Sequence, residues 1–285
     1  MVAHLILAHT PTNHLNRLVR KLLHGKCEVF IHVDKKAEIR SFHAIVEVDP
    51  RVNFIKSRTN ISWGGFSMVE ATLLSFREVM LNNQKYDFIN LISQSDYPLV
   101  SSQIVDRFLS QHKGKSFMKL GTRNIAWRVE MQRKINKIHL LDYRFKGKYT
   151  LERLINIFPT YRGIPFGMEL VGSSQWFTLA LRHVEYVLET VEKYASIRRF
   201  FRYTWGADEF FFQTILYNSP HRDEIIDDNL RYIDWSGSQP SPKILTINDF
   251  DSLKKSGKFY ARKFDARVDS LILDRLDELI NNKAE

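Results

Sequence analysis

Two adjacent carboxylates, Asp208 and Glu209, open an otherwise apolar and aromatic stretch, Thr204-Trp-Gly-Ala-Asp-Glu-Phe-Phe-Phe-Gln-Thr-Ile-Leu216. The first turn of a helix favours negative charge, because the helix dipole and the unpaired backbone N–H groups both stabilise it. A carboxylate there can cap the helix, or it can take a proton from a hydroxyl as a general base. Residue types alone leave both roles open. Three further groups of polar residues stand out, the first two at expected strand ends. Asp34 follows Cys27-Glu-Val-Phe-Ile-His-Val33, and suits either a ribose or uracil N–H contact or a cap on the next segment. Asp96 is the strongest polar candidate in Ser93-Gln-Ser-Asp-Tyr-Pro98, with a cap or turn as its alternative. Phe259-Tyr-Ala-Arg-Lys-Phe264 sets the cations Arg262 and Lys263 among aromatic rings.

The elements that must carry these groups alternate along the chain. Apolar runs predict strands at 2–8, 27–33, 52–55 and 86–92, and a run preceded by small residues predicts another at 172–179. Helices are expected over 12–23, 67–81, from Ser101, over 182–194 and over 210–216. Ser67 with Glu70 fits a capping box at the start of the second, after the glycine-hinged turn Trp63-Gly-Gly-Phe-Ser67. Strands at 230–235 and 243–247, a helix capped by Asn248 or Asp249 and an amphipathic tail helix over 268–280 complete the chain. Polar exits from the carboxyl ends of successive strands form the usual site of an open α/β sheet. Neither the glycine-rich dinucleotide fingerprint nor a Walker P-loop is present, so NAD and P-loop chemistry are not indicated. The basic, aromatic stretch 122–161 reads as an insertion or a substrate-facing flap.

Composition bounds the class. The chain has 285 residues, 44% of them hydrophobic and 13% aromatic, enough for a substantial core. With no linker composition or internal repeat, one domain over 1–285 is expected: a nucleotide-binding half (1–120), an acceptor and catalytic half (121–265) and a C-terminal helix (266–285). The net charge of +10 suits anionic partners such as nucleotide phosphates or a membrane surface. It is diffuse, with short clusters at 17–21, 198–202 and 254–263 rather than a basic tail. A single cysteine, Cys27, excludes an internal disulfide and fits a reducing compartment. The short apolar start cannot span a bilayer, so a cytoplasmic location is expected, peripheral to the inner face of a membrane.

Taken in order, His32-Val-Asp-Lys-Lys36, Trp63-Gly-Gly-Phe-Ser67, Asn90-Leu-Ile-Ser-Gln-Ser-Asp-Tyr-Pro-Leu99, Gly172-Ser-Ser-Gln-Trp-Phe177, Ala207-Asp-Glu-Phe-Phe-Phe-Gln-Thr-Ile215, Leu230-Arg-Tyr-Ile-Asp-Trp235 and Phe259-Tyr-Ala-Arg-Lys-Phe-Asp265 resemble the core-2/I-branching β-N-acetylglucosaminyltransferase family, which also contains peptide O-xylosyltransferases. The resemblance covers nearly the whole chain. It implies a GT-A-type nucleotide-sugar fold, a Rossmann-like mixed sheet flanked by helices. It also implies an inverting transfer of GlcNAc, or in some members xylose, from a UDP-sugar to a glycan or glycolipid hydroxyl.

Carried over by motif, Glu209 is the base, which leaves Asp208 as a cap or an orienting group on the acceptor side. Lys263, with Arg262 or Lys258 as helpers, holds the diphosphate; Asp34 contacts uridine; Ser95 and Asp96 flank the donor; Trp235 faces the acceptor sugar. A second phosphate-binding arginine of the family has only Lys243 as a loose counterpart. No metal cofactor is expected, because the one Asp-x-Asp, Asp249-Phe250-Asp251, sits where helix capping explains it. Eukaryotic members carry a membrane anchor and disulfides, so the chain looks like a short bacterial-type relative. The rival readings are a basic nucleic-acid-binding α/β protein, for which no recognition motif is present, and a catalytically silent sugar-binding relative.

Overall fold

The computed structural model describes residues 1–82, 85–121, 129, 131–132, 134–158, 162–237 and 241–282. Four parallel strands form its backbone: β1 (Val2–Ala8), β2 (Glu28–Val33), β3 (Val52–Phe54) and β4 (Phe88–Ser93). Beyond these come β5 (Asp96–Pro98), β6 (Ser116–Met118), β7 (Phe177–Ala180), β8 (Ile225–Ile226), β9 (Arg231–Ile233) and β10 (Tyr260–Arg262). A seven-stranded sheet has the order β3-β2-β1-β4-β7-β6-β8, and β7 enters it antiparallel to both β4 and β6. A second, three-stranded sheet has the order β5-β10-β9. This mixed α/β sheet flanked by helices is the architecture that the motifs led us to expect.

Every residue of β1 is buried because both faces of the sheet are covered. Ala3, Leu5 and Leu7 enter one core, with the helices Phe66–Leu81, Leu181–Lys193, Ala195–Arg202 and Phe211–Tyr217. Val2, Ile6 and Ala8 enter the other, with Asn13–Leu22, Ser102–Gln111 and the tail helix Leu271–Asn282. Thr12 caps the helix Asn13–Leu22 by accepting from the Leu15 amide at 3.3 Å.

The small sheet is fastened to the large one by a buried arginine. Arg231 on β9 donates to the carbonyls of Leu91 (2.9 Å) and Phe177 (3.0 Å) and to the Asn90 side chain. Asn90 in turn meets Thr178 at 3.0 Å and His4 at 3.0 Å. Burial pulls the Arg231 pKa down to about 10, which still leaves it charged near neutrality. Burial and the Arg231 charge together push His4 down to about 3, so it packs as a neutral ring.

Several expectations need correction. Gly65, not Ser67, occupies the N-cap position of Phe66–Leu81. The partner for that helix end comes from far along the chain, where Asp142 accepts from the Ser67 amide (2.9 Å) and hydroxyl (2.5 Å). Glu70 pairs instead with Arg198 at 2.7 Å. No strand forms at 243–247; the stretch is extended, donating to Asp234 (2.9 Å) and Lys263 (2.8 Å) carbonyls, before a one-turn helix at Ile247–Asp249. Residues 172–176 lead into β7 rather than belonging to it. Of the expected flap at 122–161, residues 122–128, 130, 133 and 159–161 lie outside the described residues. Within the remainder, a helix forms at Lys148–Ile155.

Candidate functional site

Register brings the polar strand ends to one edge. Leu7 pairs with both His32 and Ser93, so β1, β2 and β4 end together. Gln94 binds this edge by accepting from the amides of His9 (2.7 Å) and Thr10 (3.1 Å), while the Asp34 amide donates to Ala8 at 2.8 Å. Arg58 braces the β2 exit through the carbonyls of Val33 and Asp34, each at 2.9 Å. The buried Asp34 carboxylate accepts from the Lys36 amide (2.9 Å) and faces its ammonium (3.3 Å), which realises the turn-capping role.

The three-stranded sheet adds the cations. Arg262 on β10 pairs with Asp96 on β5 and with Ile233 on β9. Because β9 and β10 are parallel, Trp235 leaves the sheet from the same end as Lys263. Ser95 stands beside them, its carbonyl accepting from the Phe264 amide at 2.8 Å. Lys263 has no ion-pair partner among the described residues. Its charge, with that of Lys36, helps lower the pKa of His9, for which burial is the main cause; Asp34 acts the other way. Lys263, Asp34 and His9 therefore share one electrostatic neighbourhood. Trp235 is 57% exposed there, an open aromatic face.

Behind Lys263 lies a buried charge cluster that sequence reasoning did not foresee. Asp96 is fully buried, faces Arg262 at 3.6 Å and accepts from the Ser93 amide at 3.1 Å. Burial drives its pKa up, and Arg262 opposes that. The Arg262 guanidinium stacks on Trp176, 4.3 Å from the ring centre. Its charge also acts on Asp208, whose pKa burial raises to about 6. Among the described residues, Arg262 Nε and Nη1, Asp96 Oδ1 and Asp208 Oδ1 are buried without hydrogen-bond partners. Arg262 thus sits between two acids rather than standing free as a helper. The other candidate helpers are engaged elsewhere: Lys258 pairs with Asp228 (2.6 Å) and Lys243 with Asp249 (2.6 Å). Asp249 closes a capping box with Thr246, which is the capping role its position suggested.

The two carboxylates of the opening stretch lie on a separate one-turn helix, Ala207–Glu209, offset from the helix Phe211–Tyr217 by Phe210, which is non-helical at φ −145° and ψ −4°. Close backbone approach holds that turn. A Cβ on Gly172 would fall 2.4 Å from the Glu209 carbonyl oxygen, and the Gly172 φ of +138° also favours glycine. On the other side Gly206 donates to the Gly64 carbonyl at 2.7 Å, joining the Trp63-Gly-Gly turn to the turn that carries Glu209. Trp63 and Trp205 meet edge to face at 5.5 Å, and Trp63 is 66% exposed, so a second aromatic wall stands beside Glu209.

This ordered set of motifs extends over nearly the whole chain as one fold. A family model described as Core-2/I-Branching enzyme matches residues 2–254. The chain belongs to the Core-2/I-Branching enzyme family. It is 29% identical to "Xylosyltransferase 1" of Rattus norvegicus over 98% of this chain and 35% of that protein. It is 29% identical to "Xylosyltransferase 1" of Homo sapiens over 97% of this chain and 30% of that one. The chain therefore spans about a third of the length of these curated relatives. Among solved structures, mouse xyloside xylosyltransferase 1 in its apo form aligns with a TM-score of 0.38 and 10% identity, over 78% of this chain and 83% of that one.

In this Core-2/I-Branching domain Asp208 is expected to leave a pH signature. Its folded pKa of about 6 lies above the ordinary aspartate value of 3.8, so the folded state binds the proton more tightly. The stability this contributes is complete below the unfolded pKa and is lost as pH rises through about 6. Asp208→Asn is expected to flatten this dependence and to raise stability above pH 6, on the order of 2 kcal/mol. Urea unfolding of both proteins at several pH values checks this; parallel pH profiles would contradict it.

Trp176, Trp205, Gln94 and Arg58 are the site residues that motif reading missed. Gln94 and Trp176 lie inside recognised motifs, and an aromatic next to a buried cation was the available signal. Arg58 and Asp142 act on distant backbone, and nothing local in the sequence marks them.

Proposed function

We propose that this chain is an inverting, metal-independent UDP-sugar transferase, moving GlcNAc or xylose to a hydroxyl of a glycan or glycolipid. Glu209 takes the proton from the acceptor hydroxyl as that oxygen attacks the anomeric carbon. The bond from that carbon to the diphosphate oxygen breaks in the same displacement, and UDP leaves carrying the electron pair. Lys263 offsets the charge that develops on the diphosphate. Arg262, engaged by Asp96 and Asp208, lies behind Lys263 as part of its support, and Trp235 offers its face to the acceptor ring. Ser95 and Asp34 line the donor side.

The observation that carries this reading is the Lys263 ammonium, without an ion-pair partner among the described residues, in the electrostatic neighbourhood of His9 and Asp34 and next to buried Arg262 and Asp208 atoms that lack hydrogen-bond partners there. Buried polar groups without partners are rare, and this cluster adjoins the turn that carries Glu209. The names of the relatives put UDP-xylose beside UDP-GlcNAc as the first donors to try. Thermal stabilisation and donor hydrolysis, screened in EDTA with UDP-xylose, UDP-GlcNAc, UDP-GalNAc and UDP-glucose, test the proposal. One of these donors is expected to raise the melting midpoint and to be hydrolysed without metal. Strict dependence on Mn²⁺, or no response to any of them, would overturn it.

A further inference from the structure

The helix Lys148–Ile155 is built inside out. Its inward side is polar: Glu152 accepts from the Leu140 amide at 2.9 Å and faces His139 at 3.3 Å. One turn on, Asn156 accepts from the Ile138 amide (2.9 Å) and donates to the Ile138 carbonyl (2.8 Å). No residue of the helix is buried. The large side chains point outward, with Tyr149 74%, Leu154 57% and Phe158 78% exposed, and Phe145, Leu151 and Ile157 exposed around them. A helix that packs on a soluble domain ordinarily does the reverse, and large apolar side chains exposed together in one short stretch mark an interaction surface.

The charges around the patch choose its partner. Arg144, Lys146, Lys148 and Arg153 are interleaved with the apolar residues. The acids of this stretch are turned in, Glu152 towards 139–140 and Asp142 towards Ser67. We propose that the outward face of 144–158 docks this chain on an anionic lipid surface, its rings and leucines entering the headgroup boundary and its cations meeting lipid phosphates. A second copy of the chain fits less well, because a twofold contact through this face would set the same four cations against one another. The inference is independent of the transferase reading, since it rests on a face that contains none of Glu209, Lys263 or Asp34.

Flotation with vesicles, in the absence of any sugar donor, tests it. Wild-type protein is expected to float with vesicles of phosphatidylcholine mixed with phosphatidylglycerol, to ignore phosphatidylcholine alone, and to be released by high salt. The double variant Leu154→Ser/Phe158→Ser should weaken binding about tenfold or more. Arg153→Glu should weaken it at least about fivefold. Both variants should keep the wild-type melting midpoint, because these side chains make no core contacts. No flotation, flotation that neither variant changes, or a dimer in light scattering that the double variant dissociates would each overturn the proposal.

Discussion

Glu209→Gln is expected to lower sugar transfer by about 10²–10⁴-fold, the usual worth of a positioned general base, while UDP still binds. The substitution keeps the shape of the side chain and removes only its basicity. The turn that carries it is held by backbone contacts to Gly172 and Gly206, which the change does not touch. Binding and melting midpoint should therefore stay near wild type, so that the loss falls on kcat. Near-normal turnover would remove Glu209 from the role of base. Asp208, buried with its pKa raised, would then be the carboxylate to examine.

Lys263→Ala is expected to fall on donor affinity instead. Among the described residues Lys263 has no ion-pair partner, whereas Arg262, Lys36, Lys243 and Lys258 all face carboxylates. A charge-assisted contact to a diphosphate is worth about 1.5–3 kcal/mol, so UDP should bind roughly ten- to a hundredfold more weakly. The backbone at Lys263 is held by Leu245 and its neighbours on β5 and β9, and truncating the side chain leaves those bonds in place. Arg262→Ala would be a poorer probe, because it strands Asp96 and Asp208 without their cation and so confounds affinity with stability.

The parts of the fold that were legible are those whose physics is local. Strands β1, β2 and β4 are covered on both faces, so they read as predominantly apolar runs, and their exits read as polar. The acidic turn before Phe211, the cations of β10 and the cap at Asp249 were visible for the same reason. What escaped depends on distance. Ser67 looked like its own cap because Asp142, the true partner of that helix end, lies far along the chain. β6 and β8 are three and two residues long, too short to carry a pattern. The helix Lys148–Ile155 hides from a search for core periodicity because its apolar side faces outward. Arg262 was assigned to phosphate from its neighbour, and only tertiary packing reveals the two acids and the indole that hold it.

On the proposed reading, an edge built from Asp34, Ser95 and Lys263 holds UDP through protein charge alone, beside the turn of Glu209. Calorimetric titration of UDP in the presence of EDTA, into wild type and Lys263→Ala, tests it most directly. Saturable binding to wild type without metal is expected, with a roughly ten- to hundredfold weaker Kd for the variant. Binding that appears only when Mn²⁺ is restored, or that is equal in the two proteins, would contradict it.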